Sequence, residues 1–134
     1  MPTLAEIEGI GAVYSRKLQK AGVRGTNGLL ERGGTSKGRK ELAKASGFST
    51  ARLLEWVNRA DLFRVKGVGS EFSDLLEGAG VDTVRELAKR DPAKLYDTLV
   101  QVNMKKKLVR QVPSLKQVKA WVKQAKSLPV KITY

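Results

Sequence analysis

Two short glycine turns carry the clearest chemistry in this chain. They read Ile7-Glu8-Gly9-Ile10-Gly11 and Val65-Lys66-Gly67-Val68-Gly69, in matching surroundings 58 residues apart. A glycine turn that opens a helix presents backbone N–H groups at the positive end of the helix dipole, an arrangement suited to phosphate. Gly9 and Gly11, flanking Ile10, let the backbone approach an anion closely. Arg16, Lys17 and Lys20 follow on the next helix, and Arg24 lies just beyond it. Glu8, inside the first turn, opposes an anion there. The second turn has Arg64 and Lys66 before it, but Glu71, Asp74 and Glu77 follow. A phosphate at Gly67 and Gly69 would meet repulsion, so a structural role is favoured for that turn.

The other candidate contacts are lysines near the C-terminal end. Lys105, Lys106, Lys107 and Arg110 form one cluster. Lys116, Lys119, Lys123 and Lys126 then recur at helical spacing, a basic stripe about 80° wide beside an apolar one. The apolar stripe is Leu115, Val118, Val122 and Ala125, with Trp121 and Leu128 at its edge. A further basic group, Lys37, Arg39, Lys40 and Lys44, extends the footprint or only keeps the surface soluble. Trp56 and Trp121 sit on apolar stripes and are read as core, not as platforms for stacked bases.

The whole chain supports a polyanion partner. Its 134 residues carry 26 Lys and Arg against 13 acids, a net charge of +13. Residues 100–134 hold nine bases and no acid, while residues 61–99 hold six bases and eight acids. An acidic middle between basic ends points to one face for a polyanion and another turned away from it. There is no His and no Cys. This removes disulfides, thiolate metal sites, the commonest metal ligand and the commonest general base. The carboxylates show no paired or metal-ligand spacing. Neither an enzyme nor a cofactor is expected. No apolar run approaches membrane-spanning length and no signal-peptide pattern begins the chain. The expectation is a soluble cytoplasmic protein without a membrane partner, nucleoid-associated if bacterial.

Short capped helices position these residues. Thr3 with Glu6 fits a capping box for a helix from Leu4 to about Glu8. Val13, Tyr14, Leu18 and Ala21 mark a helix that stops at Gly22. Thr26, Ser36, Ser49 or Thr50, Ser70 and Ser114 are read as N-caps, and Thr83 with Glu86 as a second capping box. Asp91-Pro92 opens a helix through Leu95, Leu99 and Val102. Only Lys131 to Tyr134 is left extended. The fold class is all-α, with eight or nine short helices and tight loops.

The two turns belong to a longer repeat. Residues 7–23 and 65–81 are identical at seven of 17 positions, including Gly9/Gly67, Gly11/Gly69, Leu18/Leu76 and Gly22/Gly80. The reading is a tandem duplication with pseudo-two-fold packing, residues 1–60 and 61–134, forming one compact unit.

These residues resemble the helix-hairpin-helix motif, hydrophobic-x-Gly-hydrophobic-Gly between two helices. The pair is similar to the fused double motif of DNA-repair and recombination proteins. Gly38-Arg39-Lys40-Glu41-Leu42-Ala43, residues 54–62 and residues 118–126 resemble an uncharacterised bacterial family built on this motif, a domain of unknown function. The resemblance implies sequence-independent DNA binding through hairpin amides. Some helix-hairpin-helix enzymes form a Schiff base through a lysine, but no lysine here is singled out by an accompanying acid. The expected function is sequence-independent binding of duplex DNA. The alternatives are a protein-interaction or scaffold module meeting an acidic partner or another copy of itself, and an RNA- or ribosome-associated factor.

Overall fold

Local capping rules place most of the helix ends. In a computed structural model, residues 3–7 and 9–134 are described. Among them, a 3-10 turn at Leu4–Glu6 is followed by eight α-helices and no strand. The helices are α1 (Gly11–Lys20), α2 (Gly25–Gly33), α3 (Ser36–Ser46), α4 (Thr50–Leu62), α5 (Ser70–Gly78), α6 (Val84–Ala88), α7 (Pro92–Lys106) and α8 (Leu115–Ser127). The chain divides into two compact units. The first is Met1–Asp61 with Val130–Tyr134, and the second is Leu62–Pro129. No described helix is long and apolar enough to cross a membrane.

In the first unit, α3 packs on α1 and α2. The core gathers Ile7, Ile10, Leu18, Val23, Leu29, Leu42, Leu53, Trp56 and Val57. Helix α1 ends in a Schellman closure. Val23 N–H donates to Leu18 O at 2.9 Å and Gly22 N–H to Gln19 O at 3.0 Å, with Gly22 at φ +93°. Arg32 of α2 then donates to Ala21 O at 3.0 Å. The second unit repeats this ending. Val81 N–H donates to Leu76 O and Gly80 N–H to Glu77 O, both at 2.9 Å, and Arg90 donates to Gly80 O at 3.2 Å. There α5 packs on α7, and α8 lies against α6 and α7 over a core of Leu75, Leu76, Leu87, Leu99, Val118 and Trp121.

The last five residues pack on the first unit through Arg39. Arg39 is only 5% exposed. It donates to Gly33 O at 2.9 Å, Gly34 O at 3.1 Å and Thr133 O at 2.6 Å. Thr133 N–H returns a bond to Gly34 O at 2.8 Å, and Ile132 is buried beside it. Gly34 permits that approach, since a Cβ there would lie 2.5 Å from Lys131 O. Arg39 is therefore a structural clasp and not part of a surface basic cluster.

Several caps fall one residue from their expected place. A cap needs extended backbone as well as a side-chain oxygen. Thr35, at φ −103° and ψ 158°, caps α3 by accepting from Gly38 N–H, so Ser36 is already helical. Gly69 precedes α5 and Ser70 lies inside it. Thr26 is buried within α2, behind Arg24. Thr83 accepts from Glu86 N–H at 3.2 Å, but the Glu86 carboxylate turns to Arg90 Nε at 3.2 Å. The Thr3/Glu6 and Ser114/Gln117 pairs form complete capping boxes. Val13, one of the apolar residues that mark α1, is 61% exposed.

Candidate nucleic-acid interface

The first glycine turn is anchored by its apolar residues and open at its helix end. Ile7 and Ile10 are buried, and Ile10 N–H donates to Ile7 O at 3.1 Å. Ile10 thus spends both its side chain and its amide on the turn. Gly9 (φ +90°) and Gly11 (φ +62°) both need the left-handed region. Gly9 backs onto Trp56, whose Nε1 lies 3.5 Å from an added Cβ, whereas a Cβ on Gly11 would meet nothing within 4 Å. Helix α1 begins at Gly11 with no side-chain cap and no acid in its first turn. The first N–H groups of any helix lack acceptors within it and carry its positive end. Glu8, the charge that opposes an anion here, lies outside the described residues.

Cations stand along the same helix. Arg16, Lys17 and Lys20 are all exposed. Lys17 Nζ lies 5.9 Å from the Tyr14 ring centre and 5.8 Å from that of Phe48. Arg52, from α4, lies 5.4 Å from Tyr14 and 5.8 Å from Trp56. The three rings touch, with Tyr14–Phe48 at 5.1 Å and Phe48–Trp56 at 4.8 Å. Cation–π contact holds each charge in place with about 0.5–1 kcal/mol at exposed sites. Tyr14 therefore sits between a lysine of α1 and an arginine of α4, on the tryptophan that backs Gly9. Arg52 was not a candidate from sequence. The available signal was its i,i+4 spacing to Trp56.

The second turn repeats the backbone only as far as its first glycine, and it does not repeat the chemistry. Val68 N–H donates to Val65 O at 3.1 Å, and Gly67 takes φ +89°. A Cβ on Gly67 would lie 3.1 Å from Trp121 Nε1. Gly69, however, has φ −107°, which any residue adopts, so its backbone places no demand for glycine. Lys66 is exposed, but its N–H is held by Gln124 Oε1 at 2.8 Å, and Arg64 donates to Pro129 O at 2.8 Å. Glu71 occupies the first turn of α5, where it supplies negative charge to the positive helix end. At the repeat spacing, Arg16, Lys17 and Lys20 become Asp74, Leu75 and Gly78.

The remaining lysines belong to the second unit. Lys105 and Lys106 close α7, favourably placed at its negative end. Lys107 takes φ +50° and its N–H donates to Asn103 O at 2.8 Å. The Asn103 side chain also bonds both the N–H and the carbonyl of Val109, at 3.0 and 3.1 Å, so the lysines project from a bonded bend. On α8, Lys116, Lys119, Lys123 and Lys126 are exposed opposite buried Val118, Trp121, Val122 and Ala125. Trp121, expected at the stripe's edge, is only 2% exposed.

The two tryptophans reveal a match that the glycine register hides. Trp56-Val57-Asn58-Arg59-Ala60 and Trp121-Val122-Lys123-Gln124-Ala125 share Trp-Val-x-x-Ala, but 65 residues apart instead of 58. Each indole backs the positive-φ glycine of its own unit.

Among the described residues, no group of three or more acids could hold a metal ion. No curated protein and no solved structure matches the chain. A family profile covers residues 8–128, which takes in the glycines of both turns and all of α8. The chain belongs to the family described as Domain of unknown function (DUF4332).

Proposed function

We propose that this protein binds duplex DNA without base specificity, as a tandem helix-hairpin-helix protein in which the two hairpins have diverged. The first hairpin takes phosphate on the amides that open α1, and Arg16, Lys17, Lys20 and Arg52 surround it with positive charge. The lysines of α8 and of the end of α7 add phosphate contacts in the second unit. The second hairpin is structural. Phosphate contacts position a protein on DNA and carry no sequence information, which makes the binding sequence-tolerant. A non-catalytic role, and a cytoplasmic or nucleoid location, go with this reading.

The observation that carries it is the contrast between the two glycine turns. The first opens an uncapped, acid-free helix flanked by exposed cations. The second opens a helix that already holds Glu71.

The test is the salt dependence of duplex affinity. Each neutralised phosphate contributes about −0.9 to the slope of log affinity against log salt. A roughly micromolar dissociation constant at modest salt and a slope of about −4 or steeper are expected. Equal affinity for unrelated duplexes should accompany it. A flat slope, or no binding to any duplex at low salt, would sink the proposal.

A further inference from the structure

The two units differ most where the first is filled by an aromatic ring. Ser49 accepts from Arg52 N–H at the start of α4, and Ser114 accepts from Gln117 N–H at the start of α8, both at 3.1 Å. This register, shared with the two tryptophans, sets Phe48 against Pro113 and Arg52 against Gln117. The glycine register sets Tyr14 against Phe72. In the first unit, Phe48 closes a cluster with Tyr14 and Trp56. In the second, Phe72 still lies 5.2 Å from Trp121, but the ring of Phe48 has no counterpart. A cavity of about 540 Å³ opens there, with Phe72, Tyr96, Val112 and Pro113 among its walls and Gln111, Ser114 and Gln117 beside them. That volume falls within the range of small-molecule sites.

We propose that this cavity receives a single unstacked nucleobase. The inference rests on the nucleic-acid reading above and adds a preference to it. Three features define the occupant. The empty place is that of an aromatic ring, and Phe72 and Tyr96 offer faces and edges for a planar group. The lining residues carry no charge, which suits a neutral base, and the Gln111 amide, with the Gln117 Nε2 and Ser114 hydroxyl proton that the capping box does not use, can bond a base edge. Exposed Arg110 and Lys116 neighbour the lining residues Gln111 and Gln117 in the chain, where the phosphates on either side of the base need cations. A base that is already unpaired costs least to insert.

The experiment compares a fully paired duplex with the same duplex carrying one bulged adenine. The wild-type protein should favour the bulged form by about tenfold, the scale of one base–aromatic stack. Pro113→Phe, which returns a ring to the empty place, should erase the preference and leave paired-duplex affinity unchanged. Tyr96→Ala should reduce it, and covers the case in which Pro113→Phe does not fold. Adenosine monophosphate alone, followed by NMR, should shift the side-chain amide signals of Gln111 and Gln117, and inorganic phosphate at the same concentration should leave them in place. Equal affinity of the wild type for both duplexes would overturn the pocket while leaving duplex binding intact. So would equal shifts with N-acetylphenylalanine amide, which would make the site one for protein aromatic side chains. Shifts with adenosine monophosphate but no binding to any duplex would overturn the duplex reading and keep the pocket.

Discussion

Replacing Lys116, Lys119 and Lys123 together by glutamate should weaken duplex binding on the order of a hundredfold at modest salt. The three side chains are exposed along one face of α8, and each is expected to face a phosphate. Losing three such contacts should also make the salt slope shallower by about 3. Folding should persist. The helix keeps its Ser114/Gln117 capping box, and its buried face of Val118, Trp121, Val122 and Ala125 is untouched. Fluorescence anisotropy gives the affinity, and circular dichroism checks the helix content. Undiminished affinity in the triple variant would remove α8 from the interface.

The largest effect on stability is expected at Arg39. Its guanidinium is the donor to Gly33 O, Gly34 O and Thr133 O. Arg39→Ala removes those donors and the packing of the stem in one step. A buried acceptor left without its donor costs about 1–3 kcal/mol. The three losses do not simply add, because Gly34 O keeps its bond from Thr133 N–H. We expect a loss of about 3 kcal/mol, read as a lower urea midpoint. Hydrogen exchange should rise at Thr133, whose N–H bonds Gly34 O. Arg39→Lys should recover only part of the loss, because an ammonium cannot fork between the carbonyls. Lys40→Ala, at the exposed neighbour, should change the midpoint little. A small effect of Arg39→Ala would mean that the clasp contributes nothing to the fold.

The glycine turns were legible because their signal is local. Glycine at positive φ, an apolar residue on either side and a capped helix end all lie within a few residues. The basic stripe of α8 was legible for the same reason, since side chains at 100° intervals report their own face. What escaped depended on distant parts of the chain. Arg39 pairs with Thr133 across 94 positions, and nothing in a run of Lys and Arg marks the one that turns inward. Arg52 joins the first turn only because α4 brings Trp56 under Gly9. The tryptophan repeat was masked by seven extra residues between turn and tryptophan in the second unit, where α7 has 15 residues and α3 has 11. The misplaced caps reflect backbone geometry. Ser36 and Ser70 have suitable side chains, but each is preceded by the residue that takes the extended conformation.

The central claim is that the first hairpin binds phosphate and the second does not. The most direct measurement is duplex affinity across a salt titration for Arg16→Glu/Lys17→Glu beside Lys66→Glu, each against the wild type. The account predicts a loss on the order of tenfold or more and a shallower slope for the first-hairpin variant. It predicts near wild-type affinity and slope for Lys66→Glu, whose neighbouring helix already carries Glu71, Asp74 and Glu77. The opposite pattern, with Lys66→Glu crippled and Arg16→Glu/Lys17→Glu binding normally, would contradict it.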